Sequence, residues 1–199
     1  MKKKSTDYIK KYKICVSGSA ALDPCTPKAK ELAKEVGRQI IKQGAILLTG
    51  ATTGIPYWAA VGANEVNGIS IGFSPAGTEK EHVKVYRLPT DMFDVIVYTG
   101  FGYAGRNLLL TRASDAVIII CGRMGTLNEF TVAFEDKKPL GVLEGSGGTA
   151  DKIDYLLKGG YRGKKKVIAS RYPDVLVREI IKMIKLEKDN NHKPKGRKK

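Results

Sequence analysis

Ala116-Val117-Ile118-Ile119-Ile120-Cys121-Gly122-Arg123-Met124-Gly125-Thr126 is the stretch on which the fold turns. Its first half is an unbroken apolar run from Val117 to Ile120. A strand with one wet face alternates apolar and polar residues, whereas a continuous run suits a central parallel strand covered on both faces. Its second half carries Gly122 and Gly125, after which a helical pattern runs from Thr126 to Asp136. A buried strand that leads through a glycine turn into a helix is half of a βαβ unit.

The same alternation extends outward in both directions. Tyr12 to Val16 reads as a first strand, followed by a helix from Pro27 to about Gln43 that carries Leu32, Ala33, Val36, Ile40 and Ile41 on one face. Ala45 to Leu48 is a second strand, and Pro56 opens a helix that Asn67-Gly68 stops. Ile69 to Phe73 and Asp94 to Tyr98 are further strands, separated by a polar, irregular stretch, 75–92, that reads as a lid or a long surface connection. A helix from about Tyr103 to Ser114 leads into the central run. Beyond it come a strand at Leu140 to Leu143, a flexible loop at Gly145-Ser146-Gly147-Gly148, a helix over about 150–158, a short strand at Val167 to Ala169 and a terminal helix from Pro173 to about Lys188. The order predicts an α/β domain over 12–188, with a doubly wound, mainly parallel sheet and helices on both faces.

Ligands of such sheets bind at the carboxyl ends of the strands. That rule selects the loops 17–25, 49–55, 99–106 and 121–126, and all four carry glycine. Their polar and glycine residues Gly18, Ser19, Gly50, Thr53, Gly54 and Asn107 are candidate ligand contacts. The turn Gly122, Arg123, Met124, Gly125, Thr126 is the strongest candidate. Free backbone N–H groups at a helix start donate to a phosphate with help from the helix dipole, and glycine lets the anion approach. A tight turn with Thr126 as an ordinary N-cap is the competing reading.

With 199 residues, 42% hydrophobic and 28% charged, the chain reads as a globular domain. No apolar run approaches the ~20 residues that span a bilayer, and the N-terminus lacks a signal-peptide pattern. The expectation is a cytoplasmic protein without a membrane partner. The formal charge is +15, of which residues 1–13 and 188–199 each hold +5. Basic tails over 1–11 and 189–199 are either solubilising ends or a route to nucleic acid. Cys15, Cys25 and Cys121 have no metal-ligand spacing, and His82 and His192 stand alone, so neither a metal site nor a disulfide scaffold is expected. Cys15 and Cys121 read as buried thiols and His82 as a surface residue. Tyr98, Phe101 and Tyr103 are candidate walls of a base pocket, and Tyr57 and Trp58 are either stacking residues or core or dimer-interface residues.

The stretch Arg106-Asn107, Ser114-Asp115-Ala116 and Gly122 to Glu129 resembles the LONELY GUY phosphoribohydrolase family. That family, long described as lysine-decarboxylase-like, shares a Rossmann-like fold with the DNA-processing protein A group. Its signature is PGGxGTxxE, preceded by an arginine at a helix start. Aligned on Glu129, Arg106 falls on that arginine without a gap. The likeness is nearest to a prokaryotic branch with Arg-Asn where plant members have Arg-Lys.

The resemblance implies a Rossmann-like fold and hydrolysis of a nucleoside 5′-monophosphate to free base and ribose 5-phosphate, with no cofactor. It makes Arg106 and Glu129 the catalytic pair, 122–126 the phosphate anchor and a homodimer the assembly. A carboxylate beside the sugar suits a glycosidic bond that breaks through an oxocarbenium-like state. The departures are Cys121 for proline, Arg123 for the second glycine, Asn107 for lysine and Glu135 for a ligand-contacting threonine. Arg123 motivates the alternative of a non-catalytic sensor, or a carrier of a phosphorylated cofactor such as the molybdenum cofactor.

Overall fold

The structure is a computed structural model that describes residues 11–160 and 166–192, the last three by backbone alone. Strands and helices alternate: β1 (Lys13–Gly18), α1 (Ala29–Lys42), β2 (Ile46–Thr49), α2 (Ile55–Asn64), β3 (Ser70–Ser74), α3 (Glu79–Lys84), β4 (Val95–Tyr98) and α4 (Gly102–Ala113). Then come β5 (Ala116–Ile120), α5 (Met124–Glu135), β6 (Leu140–Leu143), a 3-10 turn (Ala150–Lys152), α6 (Ile153–Gly159), β7 (Val167–Ser170) and α7 (Pro173–His192). The described strands form one parallel sheet in the order β4-β3-β2-β1-β5-β6-β7. This is the expected Rossmann-like doubly wound architecture.

Alternation along the central strands builds the two layers. Ile14 and Val16 of β1, with Ala116, Ile118 and Ile120 of β5, pack against α1, α2 and α7. Cys15, Val117 and Ile119 face the other way, against Leu110 of α4, Phe130 of α5 and Ile153 of α6. Every residue of β5 is fully buried, as the continuous apolar run requires. On the first face, α1 and α2 approach so closely that a Cβ on Gly37 would overlap the Ala59 carbonyl, and one on Gly62 the Lys34 carbonyl.

Several expectations change. The stretch 75–92 contains α3, and His82 within it is fully buried rather than exposed. Its ring bridges Ser74 Oγ at 2.8 Å and the Pro89 carbonyl at 3.0 Å, so a polar residue among charged neighbours ties this connection to β3. The 145–148 loop is pinned, not loose: Ser146 is buried, and Asp151 accepts from the N–H groups of Gly145 and Gly147. Cys25 and Cys121 form a disulfide across 96 residues of sequence. They meet because β1 and β5 are neighbours, a pairing that linear spacing conceals. Helix α7 runs through His192, past the expected end near Lys188; residues 1–10 and 193–199 of the two expected basic tails lie outside the described residues. Among the described residues, no helix is long and apolar enough to cross a membrane.

Asp115, at the entry to β5, ties together the amino-terminal ends of the central strands β1 and β5, opposite the site. It accepts from Lys13 N at 2.8 Å and Lys13 Nζ at 3.1 Å, and pairs with Lys188 at 3.4 Å. Burial alone would raise its pKa, but the Lys13 hydrogen bonds and the two cations hold it below the usual value. A depressed carboxylate contributes stability above the unfolded pKa of about 3.9, and this is lost as pH falls through the folded value. Asp115→Asn should therefore lower unfolding stability by about 1–2 kcal/mol at pH 7, and denaturant melts should show that deficit begin to shrink below about pH 4 and vanish only below the depressed pKa of the folded state.

Candidate functional site

The strand order reverses between β1 and β5. At such a switch point, the loops leaving the two strands diverge and open a crevice above their carboxyl ends. A cleft of roughly 420 Å³ occupies that place. Ser17 and Gly18 of β1 form its floor, with Ser19 and Ala20 beyond them. Gly50, Thr52 and Pro56 line one side, Tyr103, Arg106 and Asn107 of α4 another, and Arg123, Gly125, Thr126 and Glu129 of α5 the third. All four glycine-bearing rim loops therefore contribute to one cleft.

The turn after β5 owes its shape to two left-handed residues, Cys121 at φ +53° and Gly122 at φ +107°. A side chain on Gly122 would overlap Thr126. A proline is held near φ −65°, so the departure from PGG at Cys121 goes with a different exit from the strand. Helix α5 starts at Met124, two residues before the sequence suggests, with Arg123 at the N-cap and no side-chain cap. Thr126 is thus inside the first turn rather than the cap. The first intrahelical bond runs from Leu127 N to Arg123 O. The preceding N–H groups of Met124, Gly125 and Thr126 belong to the unsatisfied first turn of a helix. A Cβ on Gly125 would meet nothing within 4 Å, which leaves the backbone open to the cleft.

Arg106 and Glu129 face each other across the cleft wall, 6% and 5% exposed, with Arg106 Nη1 3.7 Å from Glu129 Oε1. Gly50 makes room for this pair, since a Cβ there would overlap the guanidinium. Ser17 Oγ donates to Glu129 Oε2. The Asn107 amide lies 3.0 Å from Glu129 Oε1, and with its NH2 turned that way it donates to it. Burial pushes the Glu129 pKa up, against the opposing pull of Arg106 and of the Ser17 hydrogen bond. Two buried polar atoms of this cleft have no protein partner, Arg106 Nε and Ser19 Oγ. An unsatisfied buried donor costs free energy, and an anionic ligand in the cleft would supply the acceptor.

Some expected contacts stand behind the cleft instead of lining it. Thr53 Oγ1 donates to the Ala20 carbonyl at 3.0 Å, and Gly54, at φ +69°, precedes α2 where a Cβ would overlap Ser19 O. Both brace the Ser19-Ala20 wall. Met124 points to solvent at 77% exposure, and Gly122 shapes the turn without lining the cleft. Of the candidate aromatic walls, Tyr103 lines the cleft while Tyr98 stacks edgewise on His82. Trp58 instead sits under Lys30, 3.9 Å from its ring centroid, and Tyr57 bonds Asp91. Ser17 and Thr52 escaped the sequence reading. The position of Ser17 at the end of β1, beside the Gly18-Ser19 already singled out, was the available signal.

Comparison with known proteins agrees with this architecture. The model of the SLOG cluster4 family matches residues 11–177. An uncharacterized protein of Archaeoglobus fulgidus is 26% identical over 132 residues, which is 66% of this chain and 82% of that protein. The molybdenum cofactor carrier protein of Chlamydomonas reinhardtii superposes with a TM-score of 0.70 at 26% identity, covering 88% of this chain and 99% of that one. DNA processing protein A of Helicobacter pylori, whose structure is described for its single-stranded DNA binding mode, shares the fold, with a TM-score of 0.61 at 21% identity over 86% of this chain and 81% of that one.

The Ser17 contact makes a direct prediction. Removing a donor that stabilises the ionised form leaves burial less opposed. Ser17→Ala should raise the Glu129 pKa above its wild-type value in a carboxyl-carbon NMR titration. An unchanged or lowered value would show that Ser17 does not hold the carboxylate.

Proposed function

We propose that this chain, which belongs to the SLOG cluster4 family, binds a nucleoside 5′-monophosphate at the β1–β5 switch point and hydrolyses its N-glycosidic bond. One observation carries the reading. The open first turn of α5, Arg106 with its unpartnered Nε, and the buried Glu129 all line the same cleft. The phosphate takes the N–H groups of Gly125 and Thr126, with the helix dipole behind them. Arg106 reaches it from the opposite wall while keeping Glu129 oriented. Tyr103 gives the base an aromatic edge.

Glu129 then stands beside the sugar. As the bond from the sugar carbon to the base nitrogen breaks, its carboxylate stabilises the developing positive charge. The same carboxylate accepts a proton from the attacking water and passes it to the departing base nitrogen, so that neutral base and ribose 5-phosphate leave and the carboxylate is restored. The arginine–glutamate arrangement supports the narrower likeness to the LONELY GUY phosphoribohydrolases within this reading. A homodimer fits it as well, since Leu108 and Leu109 of α4 and Met124 of α5 are exposed apolar residues beside the site.

A second reading rests on Arg123. It stands in the exposed mouth of the cleft where the resembling family has glycine, and it adds a cation suited to a ligand with more anionic groups. Together with the likeness to a molybdenum cofactor carrier protein, it supports carriage of a phosphorylated cofactor without turnover.

Incubation with a panel of nucleoside 5′-monophosphates, followed by chromatography of free base, separates the two. Hydrolysis predicts base release that Glu129→Gln lowers by about 10²–10⁴-fold, with binding of the monophosphate retained. Binding without release from any monophosphate would contradict hydrolysis and favour the carrier.

A further inference from the structure

We propose that the Cys25–Cys121 disulfide is a redox clasp on the anion-binding turn, closed when the cleft is competent for ligand and opened by a dithiol reductant. The proposal rests on the reading of that turn as the ligand site and concerns its regulation.

Three segments converge on Cys121. The disulfide brings in the loop that leaves β1, whose first residues Ser19 and Ala20 line the cleft. Ser146 Oγ accepts from Cys121 N at 2.8 Å, and Ala150 N donates to Cys121 O at 2.8 Å. The β1 loop and the 145–149 loop also hold each other, through Thr26 N to Ser146 O at 3.0 Å and a bridge between Cys25 and Gly147. Cys121 is therefore the residue where both sides of the switch point are joined, directly before the α5 N–H groups. It holds a left-handed φ of +53° without being glycine, a conformation that persists only where its surroundings impose it.

The two cysteines differ in burial. Cys121 is fully buried, whereas Cys25 is half-buried in an exposed loop. Cys15, the free cysteine of the described residues, faces the opposite layer of the sheet and takes no part. A thiolate of the reductant attacks Cys25 Sγ; the sulfur–sulfur bond breaks, and Cys121 leaves as a thiolate that takes up a proton. The second thiol of the reductant displaces Cys25 from the mixed disulfide. Two electrons and two protons pass to the protein, and the reductant departs as its own disulfide.

In the closed state the turn is held in place before the anion arrives, which removes an ordering cost from binding. In the open state the covalent link between the β1 loop and the turn is gone. Linkage is reciprocal, so a ligand that prefers the closed form also makes the disulfide harder to reduce by the same factor.

The test compares hydrogen exchange of the oxidised 199-residue chain, the same protein reduced with dithiothreitol, and Cys25→Ser. Exchange over 121–127 and 145–150 should be about tenfold faster in the reduced protein and in Cys25→Ser, with α1 and β2 unchanged. AMP affinity, measured by calorimetry, should fall by about tenfold in the same two samples. Equal protection in all three, or a disulfide that excess dithiothreitol leaves intact in the folded protein, would overturn the clasp. Absence of AMP binding in every sample would refute the ligand reading instead, and exchange alone would then decide the clasp.

Discussion

Cys121 and Gly122 carry the chain out of β5 through two successive left-handed residues, and everything at the site follows from that bend. Placing a non-glycine residue there costs on the order of 1–2 kcal/mol. The cost is offset locally, by Ser146 on the Cys121 N–H, Ala150 on its carbonyl and Thr149 on the carbonyl of Gly122. Each such bond contributes about 1 kcal/mol net. The bend aims the first turn of α5 into the crevice between β1 and β5, so the dipole of a 12-residue helix ends where an anion can reach it. The 145–150 segment has no place in the cleft, yet with the Cys25–Cys121 bond it holds the bend.

The second constraint is electrostatic. Arg106 and Glu129 are both nearly inaccessible, and two buried charges are tolerated only when paired and hydrogen-bonded. Glu129 is well provided, with Ser17 on one oxygen and Arg106 and Asn107 beside the other. Arg106 is not, since its Nε finds no acceptor in the protein. The asymmetry leaves a satisfied carboxyl whose pKa is raised and a cation with a donor to spare. That is the arrangement a phosphate ester with a labile bond beside its sugar would complete.

Much of this was legible in the residues. The apolar run from Val117 to Ile120 marked the central strand, and the glycines marked the rim loops, because burial on both faces and tight backbone turns leave local signatures. Arg106 and Glu129 came from the resemblance to the LONELY GUY motif, on which both fall without a gap. What stayed hidden was long-range. Nothing local states that β1 lies beside β5, so neither the Ser17–Glu129 contact nor the Cys25–Cys121 bond could be read. His82 looked like a surface residue because its neighbours in sequence are charged, whereas its burial is decided by Ser74 and Pro89. Thr52 and Thr53 are adjacent and chemically identical, and only the three-dimensional path of the loop assigns the cleft to the first of them.

The central claim is that the first turn of α5, at the switch point, receives an anionic ligand. Amide-resolved NMR during an AMP titration tests it most directly, because the backbone N–H groups themselves are the proposed contacts. The account predicts saturable shifts concentrated at Gly125 and Thr126, with smaller ones at Gly18 and Ser19. Saturable shifts confined to the separate cleft beside Glu144, Asp151 and Arg171, or no shifts at the α5 turn, would contradict it.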